Sequence, residues 1–138
     1  MAKYEDAVRA FHKAMGLPLN APFSADLLAF RRRLIVEETD ELLAELDTAA
    51  AQIAAGEKVS RAVFENICKE MADVMYITCG LAVSFGLPVE AAFDATHASN
   101  MSKLGPDGKP VYRADGKVLK GPGYRAPDLS ALTQEVEE

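Results

Sequence analysis

Residues 35–42 read IVEETDEL, a stretch that combines acidic residues with the apolar residues of a predicted helix. Its acidic residues are crowded together, and aliphatic residues flank them on both sides. At about 100° per residue, a helix would place four nearby acids in one sector of its surface: Glu37, Glu38, Glu41 and Glu45. Carboxylates that face an apolar interior repel one another and lose hydration. Because a multivalent cation relieves both costs, the stretch predicts a metal-binding face on a helix.

A second acidic pair, Glu70 and Asp73, lies further along the chain among aliphatic residues. Residues three apart are neighbours on one helix face, so two such helices would hold an ion from both sides. Oxygen ligands without a competing Cys/His cluster favour Mg²⁺, with Mn²⁺ as a substitute, over Zn²⁺. Each motif by itself is more often a solvated helix face, and that alternative stays open.

Apolar periodicity predicts an all-α fold, a bundle of four to five helices. Ser24 and Ser60 are suited to begin the second and third helices, and Gly86 to end the third. The long second helix is predicted either to run unbroken or to break near residue 48. The predicted helices span residues 3–15, 25–55, 61–85 and 88–103.

The sequence changes character after Gly105, where Gly, Pro, Asp, Lys and Arg prevail. Two Asp-Gly pairs mark turns, and the segments beside them are predicted to form a small hairpin or an ordered loop. The last residues, SALTQEVEE, would add a helical turn or fray. We therefore predict a single domain, with a helical bundle at residues 1–104 and an irregular basic C-terminal arm at residues 105–138.

Charge and hydropathy argue against several classes of protein. The net charge of −6 argues against nucleic-acid binding. No apolar run approaches the roughly 20 residues of a membrane helix, so no membrane association is expected. Cys68 and Cys79 lie about three turns apart in one predicted helix, too far for a disulfide. Buried free thiols and a cytoplasmic location are therefore expected.

The Glu-Glu-x-x-Glu motif at residues 37–41, the Glu-x-x-Asp motif at residues 70–73 and the segment at residues 99–124 together resemble the MazG-like all-α nucleoside triphosphate pyrophosphohydrolases. The resemblance implies hydrolysis between the α- and β-phosphates, which yields a nucleoside monophosphate and pyrophosphate. It implies a homodimer or a tetramer, and it implies that Glu37 orients or deprotonates the attacking water. The metal ligands that it implies are Glu38, Glu41, Glu70 and Asp73.

The predicted substrate contacts lie in the arm and around the first helix. Three cations, one just before the arm and two within it, are predicted to bind phosphates, with a merely soluble loop as the alternative: Lys103, Arg113 and Lys120. Asn100, on the apolar face predicted for the fourth helix, would be buried and would bind substrate or serve the core. Tyr124 would stack on a base or pack the arm. Phe11 would stack on the base or pack in the core, with Asn20 contacting the base edge.

These features lead to one preferred function and two alternatives. The preferred function is Mg²⁺-dependent hydrolysis of dUTP or a related noncanonical nucleotide, which the compact form and the arm favour. Hydrolysis of phosphoribosyl-ATP would break a similar bond in a different pocket. The third hypothesis is a non-catalytic helical module that dimerises or binds metal ions.

Overall fold

The computed structural model describes residues 2–133 and shows a helical protein. Four helices are followed by a two-stranded hairpin and a 3₁₀ turn at Ser130–Thr133. The helices are α1 (Lys3–Met15), α2 (Ala25–Ala54), α3 (Arg61–Phe85) and α4 (Val89–Met101), and the strands are β1 (Val111–Tyr112) and β2 (Val118–Leu119). The predicted all-α class is confirmed. The end of the predicted SALTQEVEE segment lies outside the described residues.

Polar side chains and glycines explain most of the helix ends. The Ser24 hydroxyl accepts a hydrogen bond from the Leu27 N–H at 3.3 Å. The Ser60 hydroxyl does the same for the Val63 N–H at 3.2 Å, so both serines act as N-caps. Gly86 ends α3 in the left-handed conformation (φ 72°), which other residues adopt only at a cost. Helix α2 is unbroken over 30 residues, so the alternative of a break near residue 48 is wrong.

The chain divides into two compact units, one ending at Leu87 and the other beginning at Pro88. In the first unit, α2 and α3 make the most extensive helix contact. Their register follows from three facing pairs: Arg31 with Gly80, Glu38 with Asp73, and Glu45 with Asn66. Successive pairs are separated by seven residues, about two turns, on each helix, and the numbers rise on α2 as they fall on α3. The helices are therefore antiparallel, which sets the two acidic motifs face to face.

A buried arginine links the three helices of the first unit. Arg31 and His12 are only 3% and 2% exposed, and Arg31 Nη2 lies 3.4 Å from His12 Nε2. His12 Nδ1 donates to the Pro18 carbonyl oxygen (2.9 Å), which leaves Nε2 to accept from the guanidinium. Burial lowers the pKa of Arg31 from its usual value. A Cβ on Gly80 would lie 2.9 Å from Arg31 Nη1, so the glycine leaves the space that the guanidinium fills.

The hydrophobic core of the described residues is small. Its buried members are Val8, Val63, Cys79, Ala82, Val83 and Phe85. Many large apolar side chains remain exposed, among them Phe64 (64%), Met71 (52%) and Met75 (47%) on α3. Cys68 is also exposed, so the prediction of two buried thiols is wrong for Cys68 and right for Cys79.

Among the described residues, no single helix is both long and apolar enough to cross a membrane. Helices α3 and α4 reach the length and apolar content of a membrane span only when they are counted together, by length and composition alone.

In the second unit, the arm is held to α4 and to the residues just after it by hydrogen bonds that involve the backbone of the arm. The Ser99 hydroxyl donates to the Arg125 carbonyl oxygen (2.7 Å), and the Arg125 N–H donates to the Ser102 hydroxyl (2.9 Å). The Gly121 N–H donates to the Lys103 carbonyl oxygen (2.8 Å). Strands β1 and β2 pair antiparallel and form the small hairpin that was one of the two predicted forms. The arm is thus attached to the end of α4.

The buried face of α4 differs from the predicted one. Ser99 is buried, and it lines a shallow pocket together with small residues of its own helix face and with residues 125–128. Phe93 is 71% exposed, and Asn100 is exposed as well. The prediction that Asn100 is buried is therefore wrong. Alanine and serine contribute little to an apolar pattern, so the predicted face followed larger side chains such as Phe93, which points about 120° away from Ser99 around the helix.

Replacing Gly121 by alanine is expected to detach the arm from α4. The new Cβ would lie 2.6 Å from the Lys103 carbonyl oxygen and 2.8 Å from that of Leu104, and this backbone cannot move aside without losing hydrogen bonds. We expect limited proteolysis within residues 105–125 to become at least about threefold faster. Gly123→Ala is the matched control, because a Cβ there meets no atom within 4 Å. Equal protection of the two variants would contradict the expectation.

Candidate metal centre

Four carboxylates from the facing helices converge in the first unit. Each contributes an oxygen atom, and these atoms all lie within 4.8 Å of one another: Glu38, Glu41, Glu70 and Asp73. The first two project from α2 and the last two from α3. The i, i+3 spacing puts each pair on one helix face, and the antiparallel register brings the two faces together. The structure thus assembles the residues that the resemblance implies as metal ligands, which we name the carboxylate cluster.

The buried side of the carboxylate cluster holds oxygens without hydrogen-bond partners. Glu70 is 9% exposed, and neither Glu70 Oε2 nor Glu38 Oε2 has a partner within the described residues. Desolvation raises the pKa of Glu38 above its usual value, and repulsion from neighbouring carboxylates, foremost Glu41, raises it further. Buried oxygens of this kind are costly unless a cation or a donor meets them. The cluster is therefore unfavourable alone and suited to bind a cation.

One cation of the chain already contacts the carboxylate cluster. Lys69 Nζ lies 3.1 Å from Glu70 Oε1 and 2.8 Å from Asp73 Oδ2. Hydrogen bonds to Asp73 and Glu70 raise the pKa of Lys69 above its usual value. The Lys69 side chain is 63% exposed, so the ammonium approaches from the solvent side. Lys69 is not among the residues predicted from the sequence, because a lysine adjacent to a glutamate gives no sign of the double contact.

The donor atoms of the cluster fit a divalent cation that prefers oxygen. All four side chains are carboxylates, and no His or Cys of the described residues joins them. Mg²⁺ and Mn²⁺ favour such ligands, completed by water and by substrate phosphates. The unpartnered Glu38 Oε2 and Glu70 Oε2 are the atoms that such an ion would satisfy.

The other acids of the IVEETDEL region lie outside the carboxylate cluster. Glu37 and Asp40 are exposed, and neither contributes an oxygen to the group of four. The half-buried Glu45 accepts a hydrogen bond from Asn66 Nδ2 at 3.5 Å. The spacing of about 100° per residue predicted that Glu37 lies on the same side of α2 as Glu38 and Glu41. Helix α3 packs against only part of that side, so Glu37 stays exposed. Helix periodicity gives the direction of a side chain, and the width of the facing helix decides which of them are covered.

Of the two predicted base contacts in the first unit, one is accessible and one supports the fold. Phe11 is 39% exposed, and its ring meets that of Tyr76 edge-on at 5.6 Å. Tyr76 follows Asp73 by three residues, so this aromatic pair starts about one turn from the cluster. Asn20 adopts a left-handed conformation (φ 48°), and its N–H donates to the Val83 carbonyl oxygen at 3.0 Å. Tyr76 is a further candidate contact, which the sequence analysis missed because it lies within the apolar pattern of α3.

The predicted phosphate contacts of the second unit mostly have partners of their own. Arg113 Nε donates to Asp115 Oδ1 at 2.8 Å, and this contact lowers the pKa of Asp115. Lys120 Nζ lies 4.5 Å from the centre of the Tyr124 ring. Lys103 is half-buried at the end of α4. Phosphate binding by Arg113 or Lys120 would therefore require an exchange of partners.

Comparison with protein families places both acidic motifs within a known family. A family model described as phosphoribosyl-ATP pyrophosphohydrolase matches residues 8–100, more than half of the chain. The matched stretch contains the whole carboxylate cluster and ends within α4, before the arm. No curated protein matches the chain. The match therefore rests on the part of the chain that carries the cluster.

Replacing Glu38 by glutamine is expected to abolish tight binding of divalent ions and to leave the fold intact. The amide has the same shape but no charge, so one ligand is lost. We expect the Mn²⁺ affinity to fall at least about 30-fold in isothermal titration calorimetry. The metal-free variant should melt about 2 °C higher than wild type, because the repulsion from Glu41 is relieved.

The matched control is Asp40→Asn, which removes the same charge from an exposed position of the same motif. It should bind Mn²⁺ like wild type. Equal loss of affinity in the two variants would show that the effect is one of general charge, and would count against the cluster as the binding site.

Proposed function

The chain belongs to the phosphoribosyl-ATP pyrophosphohydrolase family, and on that premise we propose that its carboxylate cluster serves hydrolysis of the bond between the α- and β-phosphates of a nucleotide. The family lies in the MazG-like superfamily, so the resemblance inferred from the two acidic motifs is confirmed. Its members are hydrolases that act on nucleotide pyrophosphate bonds, and this chain is an enzyme of that class. The hypothesis of a non-catalytic helical module is therefore set aside.

The observation that carries the proposal is the convergence of four carboxylates with unpartnered buried oxygens. The family depends on divalent metal ions, and we propose Mg²⁺, with Mn²⁺ as a substitute, as the ion that these residues hold. When bound, such an ion polarises the phosphoryl group, lowers the pKa of water and neutralises the departing pyrophosphate. The chain itself contributes the position of the ligands on two facing antiparallel helices.

Glu37 is the proposed residue for the attacking water. It is adjacent to Glu38 on α2 but is exposed and outside the carboxylate cluster. A carboxylate that does not bind the metal retains lone pairs that accept a hydrogen bond, and then a proton, from water. Glu37 would thus orient the water and hold its proton while the phosphorus–oxygen bond breaks.

Two substrates fit this chemistry. The family description favours phosphoribosyl-ATP. The compact form of the chain and its arm favour dUTP or a related noncanonical nucleotide. In either case Phe11 and Tyr76 offer an accessible aromatic pair for a base, about one turn from Asp73. The remaining substrate contacts stay predictions: Asn20, Asn100, Lys103, Arg113, Lys120 and Tyr124.

A substrate panel with Mg²⁺ tests the proposal. We expect pyrophosphate to be released from phosphoribosyl-ATP or from dUTP, with a kcat/KM at least about tenfold higher for the true substrate. Asp73→Asn should lower kcat at least about 100-fold with unchanged helical circular dichroism, because a ligand charge is lost. Asp40→Asn, the exposed control, should retain activity. Orthophosphate as the first product would contradict cleavage between the α- and β-phosphates.

We propose that the enzyme is a homodimer, with a tetramer as the alternative. Phe64, Cys68, Met71 and Met75 recur at spacings of four, three and four, so they form one exposed apolar stripe on α3. Contiguous apolar surface of this kind marks an interaction site. A second copy carries the same stripe, and two-fold symmetry lets the two stripes cover each other. The added contact would supplement the small core of the single chain.

Replacing Phe64 by lysine is expected to weaken self-association. Two ammonium groups would be brought into an apolar interface, which costs affinity twice in a symmetric dimer. Light scattering after size exclusion should show a dimer dissociation constant raised at least about tenfold. Met15→Lys is the control, since Met15 is similarly exposed (61%) but lies at the end of α1. A monomeric wild type at all concentrations would refute the dimer, and four copies would favour the tetramer.

The proposed location is the cytoplasm. The exposed Cys68 is a free thiol, as expected in a reducing compartment. The net charge of −6 continues to argue against a nucleic-acid partner.

A further inference from the structure

We propose that Lys69 is an internal counter-cation of the carboxylate cluster, which occupies part of the metal site in the metal-free chain and is displaced when a divalent ion binds. The inference rests on the proposed function only in that the cluster is taken to hold such an ion. It concerns a residue that the two acidic motifs do not contain, and it makes Lys69 a determinant of metal affinity.

The contacts of Lys69 distinguish it from an ordinary surface ion pair. Its ammonium touches two members of the cluster at once, Glu70 Oε1 at 3.1 Å and Asp73 Oδ2 at 2.8 Å. Arg61 and Glu65 form an i, i+4 ion pair of the same spacing on the same helix, at 2.7 Å, but neither belongs to the cluster. Exposed ion pairs such as that of Arg61 and Glu65 contribute little to the free energy of folding, because both groups stay solvated. Lys69 instead neutralises charge at a site where carboxylates are crowded.

Lys69 provides a partner for only some of the carboxylate oxygens of the cluster. The ammonium meets Glu70 Oε1 on the solvent side, whereas Glu70 Oε2 and Glu38 Oε2 remain buried without partners. One monovalent cation cannot reach these atoms from outside and cannot balance four carboxylates. A small divalent ion between the two helices would serve both needs, so it is the better partner for the same oxygens.

The two cations exclude each other for electrostatic reasons. An ion bound by Glu70 and Asp73 would lie within about 5 Å of an ammonium that kept both of its present contacts, and like charges at that distance repel strongly in a partly buried site. Lys69 is 63% exposed and has a flexible four-carbon stem, so its ammonium can leave for solvent. Metal binding therefore includes the cost of breaking these two contacts.

Direct Mn²⁺ titration of the full chain without nucleotide tests the inference. Lys69→Met keeps the length of the side chain and removes the charge, and we expect it to bind Mn²⁺ about 3- to 10-fold more tightly than wild type. Lys69→Arg retains a cation and should stay within about twofold of wild type. Arg61→Met removes a cation from the matched ion pair and should leave the Mn²⁺ affinity unchanged.

Thermal unfolding gives a second readout that does not depend on activity. Metal-free Lys69→Met should melt below wild type because the cluster has lost its only cationic contact among the described residues. Saturating Mn²⁺ should bring the two proteins to the same melting temperature, since Lys69 is no longer in contact with the cluster. The Mn²⁺-induced increase is thus expected to be larger in the variant.

The outcomes separate this inference from the proposed function. Unchanged or weaker Mn²⁺ binding by Lys69→Met would overturn the role of Lys69, while a wild type that binds Mn²⁺ and releases pyrophosphate would keep the proposed function. An equal gain in affinity in Arg61→Met would also overturn it, because the effect would then be one of overall charge. If the wild type binds no Mn²⁺, the proposal that the cluster is a metal centre is itself wrong, and the role of Lys69 is overturned with it.

Discussion

The constant antiparallel register of α2 and α3 is the constraint on which the site depends. Arg31, buried against Gly80, lies about two turns from the level at which Glu38 faces Asp73. A slip of one residue would turn each side chain by about 100° and move it about 1.5 Å along the axis, which would scatter the carboxylates. A bulky, buried arginine opposite a glycine allows few alternative registers. A residue outside the cluster thus helps to determine the geometry of the candidate metal centre.

The same packing forces an electrostatic conflict that the chain does not resolve by itself. Four carboxylates share a small volume, Glu38 and Glu70 have unpartnered buried oxygens, and Lys69 reaches only the outer side of the group. Residues chosen for stability alone would not be arranged in this way, since neutral side chains of similar shape would pack at lower cost. Such local conflict is typical of functional sites, where a ligand supplies the missing interaction. The cost of assembling the cluster is therefore evidence for cation binding.

Sequence reasoning succeeded where short-range rules dominate and failed where a distant segment decides. The serine caps and Gly86 follow from local backbone chemistry, so the helix ends were predicted within a few residues. The side of α4 that is buried depends on the arm that returns to Ser99, which no helical pattern reveals. The partner of Arg113, an aspartate of the same turn, and the contact of Arg31 with His12 likewise depend on three-dimensional packing. Helical periodicity predicts the direction in which a side chain points. Whether that side chain is buried depends on which other segment packs against it.

The carboxylate cluster is distinct from the side chains proposed to select the substrate. The family match ends at residue 100, so the shared feature is the helical part with the carboxylate cluster, whereas the arm lies beyond it. A metal-bound phosphate chain is the same in many nucleotides, and cleaving it needs only the cluster and a positioned water. Discrimination between bases and sugars must come from side chains that are not ligands, and the exposed Phe11 and Tyr76 pair is the one proposed above for the base. Arg113 and Lys120 already contact Asp115 and Tyr124 within the arm. A substrate that binds these two cations must therefore interact with them more strongly than their present partners do. A highly charged substrate meets that condition better than a neutral group would, which is the physical reason for the proposal that these two cations bind phosphates.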